Sequence, residues 1–412
     1  MISVHAAVET ILSQIFPLSG EEVPILQATG RVLFENLRAR RSVPPFANSA
    51  MDGYSVRWRD VAQASAANPV TLQVLETVPA GYVAKRRVGE GSAIKIMTGA
   101  PLPRGADTVV RVEYTESVGD HVRISRVDGS GSHIREAGED IRRGQTILEK
   151  GKVLTPADIG LMASVGKGRV RVYRRPAVGV ISTGDELLEI DERPRPGKIV
   201  NSNSYTLAAA IRESGATPVP LGIVRDKRKS LASVFKRALR YDAVITSGGI
   251  SMGDYDLVKE ALGDAGVQMQ FWQVAQKPGH PMAFGRISRK PIFGLPGNPV
   301  SSAVSFLLYA RPALLKMMGH RNLFLPVIQA TLEHEIKKSL GVKEFIRCRL
   351  RNEEGQSFVS SAGAQGAGVL RSLSLAQGLI VASEEQTLLE KGCRVPVILL
   401  NQQDLLKEEM GF

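Results

Sequence analysis

The chain has 412 residues, with 53 Lys and Arg against 41 Asp and Glu, a formal net charge of +12, 43% hydrophobic and 23% charged residues. That balance excludes a disordered chain, and no run approaches the roughly 20 apolar residues of a membrane span, so two to four soluble domains are expected. The basic excess suits an anionic ligand. Its clusters are scattered (Arg38, Arg40 and Arg41; Lys85 to Arg87; Lys227 to Lys229) and aromatics make up only 5%, which argues against a nucleic-acid platform.

Val4, Val8, Ile11, Leu12 and Ile15 recur at helical spacing, so the chain opens with an amphipathic helix that Pro17 ends. Between about residues 22 and 150 the pattern changes to short strands such as Val70 to Leu75, Ala93 to Met97, Thr108 to Val112 and Val122 to Val127. Turn signals separate them, which reads as one or two β-rich modules. Thr155, Pro156 and Asp158 form a helix start, and the helix stops at Gly166. Arg169 to Tyr173 is a strand, and Pro176 marks the boundary of the next unit.

From there strands at about 177–182, 217–224, 242–247 and 291–295 alternate with helices at about 203–214, 230–240, 255–264 and 299–317. This alternation predicts a mostly parallel sheet with helices on both faces. After Gly319 short strands return (Val327 to Leu332, Glu344 to Leu350, Leu379 to Ala382, Arg394 to Leu399) and predict a small C-terminal β domain. Cys348 and Cys393 have neither metal-binding nor redox spacing, and the six histidines form no paired-ligand motif. Both cysteines are expected reduced in the core of a cytoplasmic protein.

Three turns carry the chemistry. Ser182-Thr183-Gly184-Asp185-Glu186 follows the first strand, the segment from Ser247 to Asp256 follows the third, and Gly294-Leu295-Pro296-Gly297-Asn298-Pro299-Val300-Ser301 follows the fourth. In an open parallel sheet such turns share the carboxyl edge, where ligands bind. Gly248, Gly249, Ser251 and Gly253 let the backbone approach an anion closely. Asp185, Glu186, Asp254 and Asp256 would repel that anion unless a hard cation lay between. A phosphorylated or otherwise anionic ligand bound with magnesium is therefore expected. Ordinary roles compete at each place: the acids could cap helices, Asn298 and Pro299 could simply start one, and Asp52-Gly53 could be a plain turn.

With these turns placed, the sequence resembles the MoeA family of molybdopterin molybdenumtransferases, which includes the E domain of gephyrin. The likeness runs through Asn48-Ser49-Ala50-Met51-Asp52-Gly53-Tyr54, Ile96-Met97-Thr98-Gly99-Ala100-Pro101, Gly138-Glu139-Asp140-Ile141, the three turns, Lys277-Pro278-Gly279 and Pro281. The resemblance implies a central three-layer α/β domain like that of MogA and MoaB over 176–320. An elongated N-terminal domain (1–45 with 141–175), an inserted β-rich domain (46–140) and a barrel-like C-terminal β domain (321–412) would flank it. It implies a homodimer whose clefts are shared between subunits, with adenylylated molybdopterin and molybdate as substrates, Mg²⁺ as cofactor and AMP as a product. Transfer onward to molybdoenzymes or their chaperones belongs to the same expectation. Glu186 and Asp256, helped by Asp185, would hold the metal, Lys277 with Gly279 would face an oxyanion, and Asp52 would come from the partner subunit. Thr98, Arg135, Asp140, Thr183, Gly184, the glycine loops, Ser301 and Ser372 near Gly366 and Gly368 would bind substrate. Three positions depart from the commoner pattern: His280 replaces a second lysine, Gln273 an upstream basic residue and Ala47 an acid. Two other readings stay open: an adenylyltransferase using MgATP, and a gephyrin-like scaffold without activity.

Overall fold

Ser3 starts the first helix, α1 (Val4–Ser13), by accepting a hydrogen bond from the Ala6 amide at 3.1 Å. The structure, a computed structural model, describes residues 1–249, 257–353 and 355–400. The chain divides into two units, one of residues 1–21 with residues 173 onward, the other of residues 22–172. The opening helix thus belongs to the α/β unit. Its apolar stripe explains why: Ala7 and Ile11, with Ile15 just beyond, share one buried core with Phe306 and Tyr309.

Residues 22–172 hold a six-stranded sheet built from β1 (Gly53–Val56), β2 (Val70–Val78), β3 (Ser92–Ile96), β4 (Thr108–Arg111), β5 (Thr115–Val118) and β6 (His121–Ile124). Their order is β4-β1-β3-β2-β6-β5, with only β2 and β3 parallel. Leu37–Arg38 pairs with Thr146–Leu148, so the chain leaves a small sheet, builds the larger one and returns. Helix α2 (Pro156–Ser164) follows behind a complete capping box, in which Thr155 and Asp158 each accept from the other's backbone.

The second unit centres on strands β7 (Ala177–Thr183), β8 (Thr217–Val224), β9 (Ala243–Ser247), β10 (Gln268–Gln273), β11 (Pro281–Ile287) and β12 (Lys290–Leu295). Their order is β8-β7-β9-β12-β11-β10. The first four are parallel, as the alternating pattern predicts, while β11 and β10 add an antiparallel edge that the sequence reading did not place. Both faces are covered. Val178, Val180 and Ile245 turn to the side holding α3 (Ser202–Glu213), whereas Ile181 and Val244 turn to α4 (Arg228–Ala238) and α5 (Leu257–Asp264). This period-two alternation makes each strand apolar on both sides.

The run expected as one helix over 299–317 is α6 (Pro299–Ser305), a π turn (Phe306–Ala310) and α7 (Arg311–Met317). Pro312 cannot donate back along the helix, and the ladder widens just before it. The C-terminal strands are β13 (Val327–Leu332), β14 (Lys343–Glu353), β15 (Gln356–Ser361), β16 (Gly378–Ala382) and β17 (Arg394–Leu399). They pair in the cycle β14-β15-β13-β17-β16 and back to β14, a closed five-stranded barrel without free edges. Cys348 lies inside this core, and burial pushes its thiol up to about 12, so it behaves as a small apolar residue. Among the described residues no helix is long and apolar enough to cross a membrane.

Phe284 is fully buried between Phe271, at 5.9 Å, and Phe293, at 5.3 Å. Phe284→Ala is expected to lower the stability of the α/β unit by about 3–5 kcal/mol, read as an earlier urea midpoint in the transition of that unit.

Candidate functional site

Register brings the strand ends level. Ser182 of β7 lies opposite Ser247 of β9, Ser247 opposite Leu295 of β12, and Thr183 opposite Val224 of β8. The turns leaving these strands therefore surround one cavity of about 420 Å³ at the carboxyl edge. Thr183, Gly184, Glu186, Gly248, Gly249, Pro296, Gly297, Asn298, Pro299 and Ser301, all expected in the site, line it together.

Asn203, in the first turn of α3, braces the floor. Its side-chain amide donates to Ser247 Oγ at 2.7 Å and to the Gly297 carbonyl at 2.8 Å, tying two of the three turns together. Close approach of the turns needs glycine at two places. At Gly249, φ is +67°, and a Cβ would lie 2.3 Å from Val258 Cγ2 and 2.6 Å from Thr183 Oγ1. At Gly184 a Cβ would lie 2.5 Å from both carboxylate oxygens of Glu186, so that carboxylate folds back over the bare Cα. Two donors have no protein partner: Thr183 Oγ1 is buried against Gly248 and Gly249 and makes no hydrogen bond. Asn298 precedes α6 but makes no capping bond with its side chain. A buried hydroxyl with no partner costs stability, which points to a ligand that would satisfy it.

The charge in the cavity is negative. Glu186 and Asp226 line it, and Asp185, next to Glu186 in sequence, has Arg225 Nη1 3.8 Å from its carboxylate and Lys198 donating to its carbonyl. Asp226 is open to solvent on one side, yet its pKa is raised, first by partial burial and then by the charges of Asp185 and Glu186, against one bond from the Asp185 amide. Sequence reasoning missed Asp226. The available signal was its place just after β8, whose end is level with Thr183, making a fourth turn at the same edge. Asn203 was missed for a simpler reason: in Asn201-Ser202-Asn203-Ser204 it looks like part of a helix cap, and Asn201 does fill that role.

Other expected residues lie elsewhere. Lys277 donates to Glu344 Oε1 at 3.3 Å and does not line the cavity. Gly279 is packed against α6, where a Cβ would meet Ser305 Oγ at 2.7 Å. Ser372 is buried, accepting from Arg347 Nε at 2.8 Å and donating to the Val369 carbonyl at 2.7 Å. Arg347 is itself fully enclosed, its Nη2 reaching the Ala364 and Gly366 carbonyls at 3.1 Å, and burial lowers its pKa. That guanidinium organises the loop that carries Gly366, Gly368 and Ser372. In the other unit, Asp52 Oδ1 accepts from the Thr98 amide and from Thr98 Oγ1, both at 2.7 Å. The amide bond first, and the hydroxyl second, lower the Asp52 pKa and keep the exposed carboxylate ionised. Arg135 pairs across strands with Asn48, and the Asp140 amide donates to the Val43 carbonyl. Ser251, Gly253, Asp254 and Asp256 fall outside the described residues.

Three family models match in series: the MoeA N-terminal region (domain I and II) over residues 2–166, a probable molybdopterin binding domain over 179–316, and the MoeA C-terminal region (domain IV) over 329–400. A molybdopterin molybdenumtransferase 2 of Mycobacterium tuberculosis is 40% identical over 381 residues, covering 91% of this chain and 94% of the relative. A molybdopterin molybdenumtransferase of Nostoc sp. is 35% identical over 386 residues, covering 92% and 88%. The crystal structure of a molybdopterin biosynthesis MoeA protein from Pyrococcus horikosii superposes with a TM-score of 0.85 at 32% identity, covering 97% of this chain and 99% of that one.

The raised Asp226 titration has a sign that can be checked. Below about pH 4 the carboxyl is protonated in both folded and unfolded chains and has no effect. As pH rises through the raised folded value, ionisation beside two acids costs stability. Asp226→Asn is expected to raise the thermal midpoint at pH 7, with the gain vanishing below about pH 4 in a pH series of melts.

Proposed function

The chain belongs to the MoeA family, and we propose that it is a molybdopterin molybdenumtransferase that inserts molybdenum during molybdenum cofactor biosynthesis. Its substrates in this reading are adenylylated molybdopterin and molybdate, and AMP is released. The full-length likeness to relatives bearing that activity carries the class of reaction. One structural observation supports the place: glycine turns, two uncommitted donors and two acids converge on a single cavity at the strand ends.

The chain's own residues divide the work by charge. The bare backbone at Gly248, Gly249 and Gly297 gives phosphate oxygens close access, and the Thr183 hydroxyl with the Asn298 amide would donate to them. Glu186 and Asp226 present carboxylate oxygens where they would otherwise repel that phosphate. A hard divalent cation such as Mg²⁺ fits there, because it takes one or two carboxylates and completes its shell with phosphate and water. Among the described residues no three acids, histidines or cysteines are gathered closely enough to hold a metal by themselves, so in this reading phosphate and water supply the remaining oxygens. When bound, the cation would neutralise charge on the phosphoanhydride. Lys277, half-exposed and paired with the buried Glu344, is the cation this reading assigns to the oxyanion. No covalent nucleophile is needed, since positioning and charge neutralisation lower the barrier. In the homodimer that the family resemblance implies, Asp52 acts from the partner subunit, and the two Thr98 bonds keep it ionised and oriented.

Purified protein given adenylylated molybdopterin and Mg²⁺ is expected to release AMP only when molybdate is added, with a product that activates an apo-molybdoenzyme. Release of AMP onto free molybdopterin from ATP would instead make it an adenylyltransferase, and neither activity from folded protein would leave a scaffold. Glu186→Gln is expected to lower the rate by about 10²-fold or more with folding intact, the usual loss when one charge-organising group is removed. An Asp52→Ala protein that turns over at the wild-type rate would remove Asp52 from this scheme.

A further inference from the structure

One wall of the cavity is unlike the rest. Leu187–Leu188 pairs in parallel with Ile199–Val200, with Leu187 opposite Ile199 and Leu188 opposite Val200. Neighbours in register share a face of a β-ribbon, so Leu187 and Ile199 stand side by side, and both line the cavity. Leu188, on the opposite face, is buried. The ribbon is held at both ends by backbone bonds, the Ile199 amide to the Glu186 carbonyl and the Asn201 amide to the Leu188 carbonyl, each at 2.9 Å. It therefore joins Glu186 on one side to the cap of α3 on the other.

An exposed aliphatic side chain by itself means little. Here, however, Ile199 is 59% exposed and Val200, opposite the buried Leu188, also lines the cavity, so apolar side chains stand where a solvent-facing surface would ordinarily be polar. Among the described residues no aromatic side chain lines the cavity, and its apolar lining comes largely from this ribbon. The glycine turns, which this reading gives to phosphate, line the same cavity. Leu187 and the stiff, β-branched Ile199 form a pre-set apolar shelf.

We propose that this shelf receives a fused planar heterocycle of the substrate and so contributes to its recognition, an inference that rests on the cavity being the substrate site. Two parts of an adenylylated pterin have that chemistry, the purine and the pterin, and ligand choice separates them. Calorimetric titration of wild type, Ile199→Ala and Leu187→Ala with AMP, ribose 5-phosphate and 6-hydroxymethylpterin phosphate reads the contribution directly. Loss of the buried isoleucine surface is expected to weaken the ring-bearing ligand about tenfold, while ribose 5-phosphate is unaffected. Ile199→Leu is expected to retain the affinity. Weakened AMP assigns the purine to the shelf, and weakened pterin phosphate with unchanged AMP assigns the pterin. Both ligands unchanged in both alanine variants, while Thr183→Val weakens them, overturns the shelf and leaves the cavity reading intact. A wild-type protein that takes up neither ligand overturns the cavity reading and the shelf with it. Ile199 is exposed, so an unchanged thermal midpoint checks that the alanine variant is folded.

Discussion

Parallel pairing of four strands at matched register is the constraint on which the site depends. Because β8, β7, β9 and β12 run the same way and end level, every turn leaving them opens on one edge. No side chain in the cavity could be brought there by local sequence alone. Thr183, Gly249, Asn298 and Asp226 come from four separate segments and meet only because the sheet aligns them. The burial of both sheet faces fixes that alignment, since slipping one strand by a residue would move its apolar set to the wrong layer.

A protein with a net charge of +12 places its acids where they are hardest to hold. The Asp226 pKa is raised by partial burial and then by Asp185 and Glu186, while Arg225 and Lys198 both turn to Asp185. Such a cluster stores an electrostatic cost that a bound cation would remove. Asp52 is treated in the opposite way. Two bonds from one residue, Thr98, stabilise its charge with no cation involved, so it stays an ionised acceptor across the working pH range.

The C-terminal barrel solves a different problem. Its closed cycle leaves no unpaired edge, and its buried Arg347 replaces a carboxylate partner with a hydroxyl and two carbonyls. Those bonds shape the loop from Ala364 to Ser372 from within. Ser372 is thus spent on positioning a cation, which a glycine- and serine-rich loop does not reveal in sequence.

Much of the fold is legible in the sequence. Alternating strand and helix patterns located the parallel sheet, the capping box at Thr155 located α2, and the glycine-rich turns named ten residues that do share one cavity. These features are local: periodicity, caps and turn chemistry act over a few residues. The antiparallel edge of β10 and β11, the docking of α1 on the α/β core, the acid at Asp226, the brace at Asn203 and the pairing of Lys277 with Glu344 were not legible. Each depends on which distant segment lies alongside. Residue spacing determined the elements and the chemistry of the turns, whereas only strand order and register decided which of those turns share a site, because side chains far apart in sequence interact only once the sheet has set their distance.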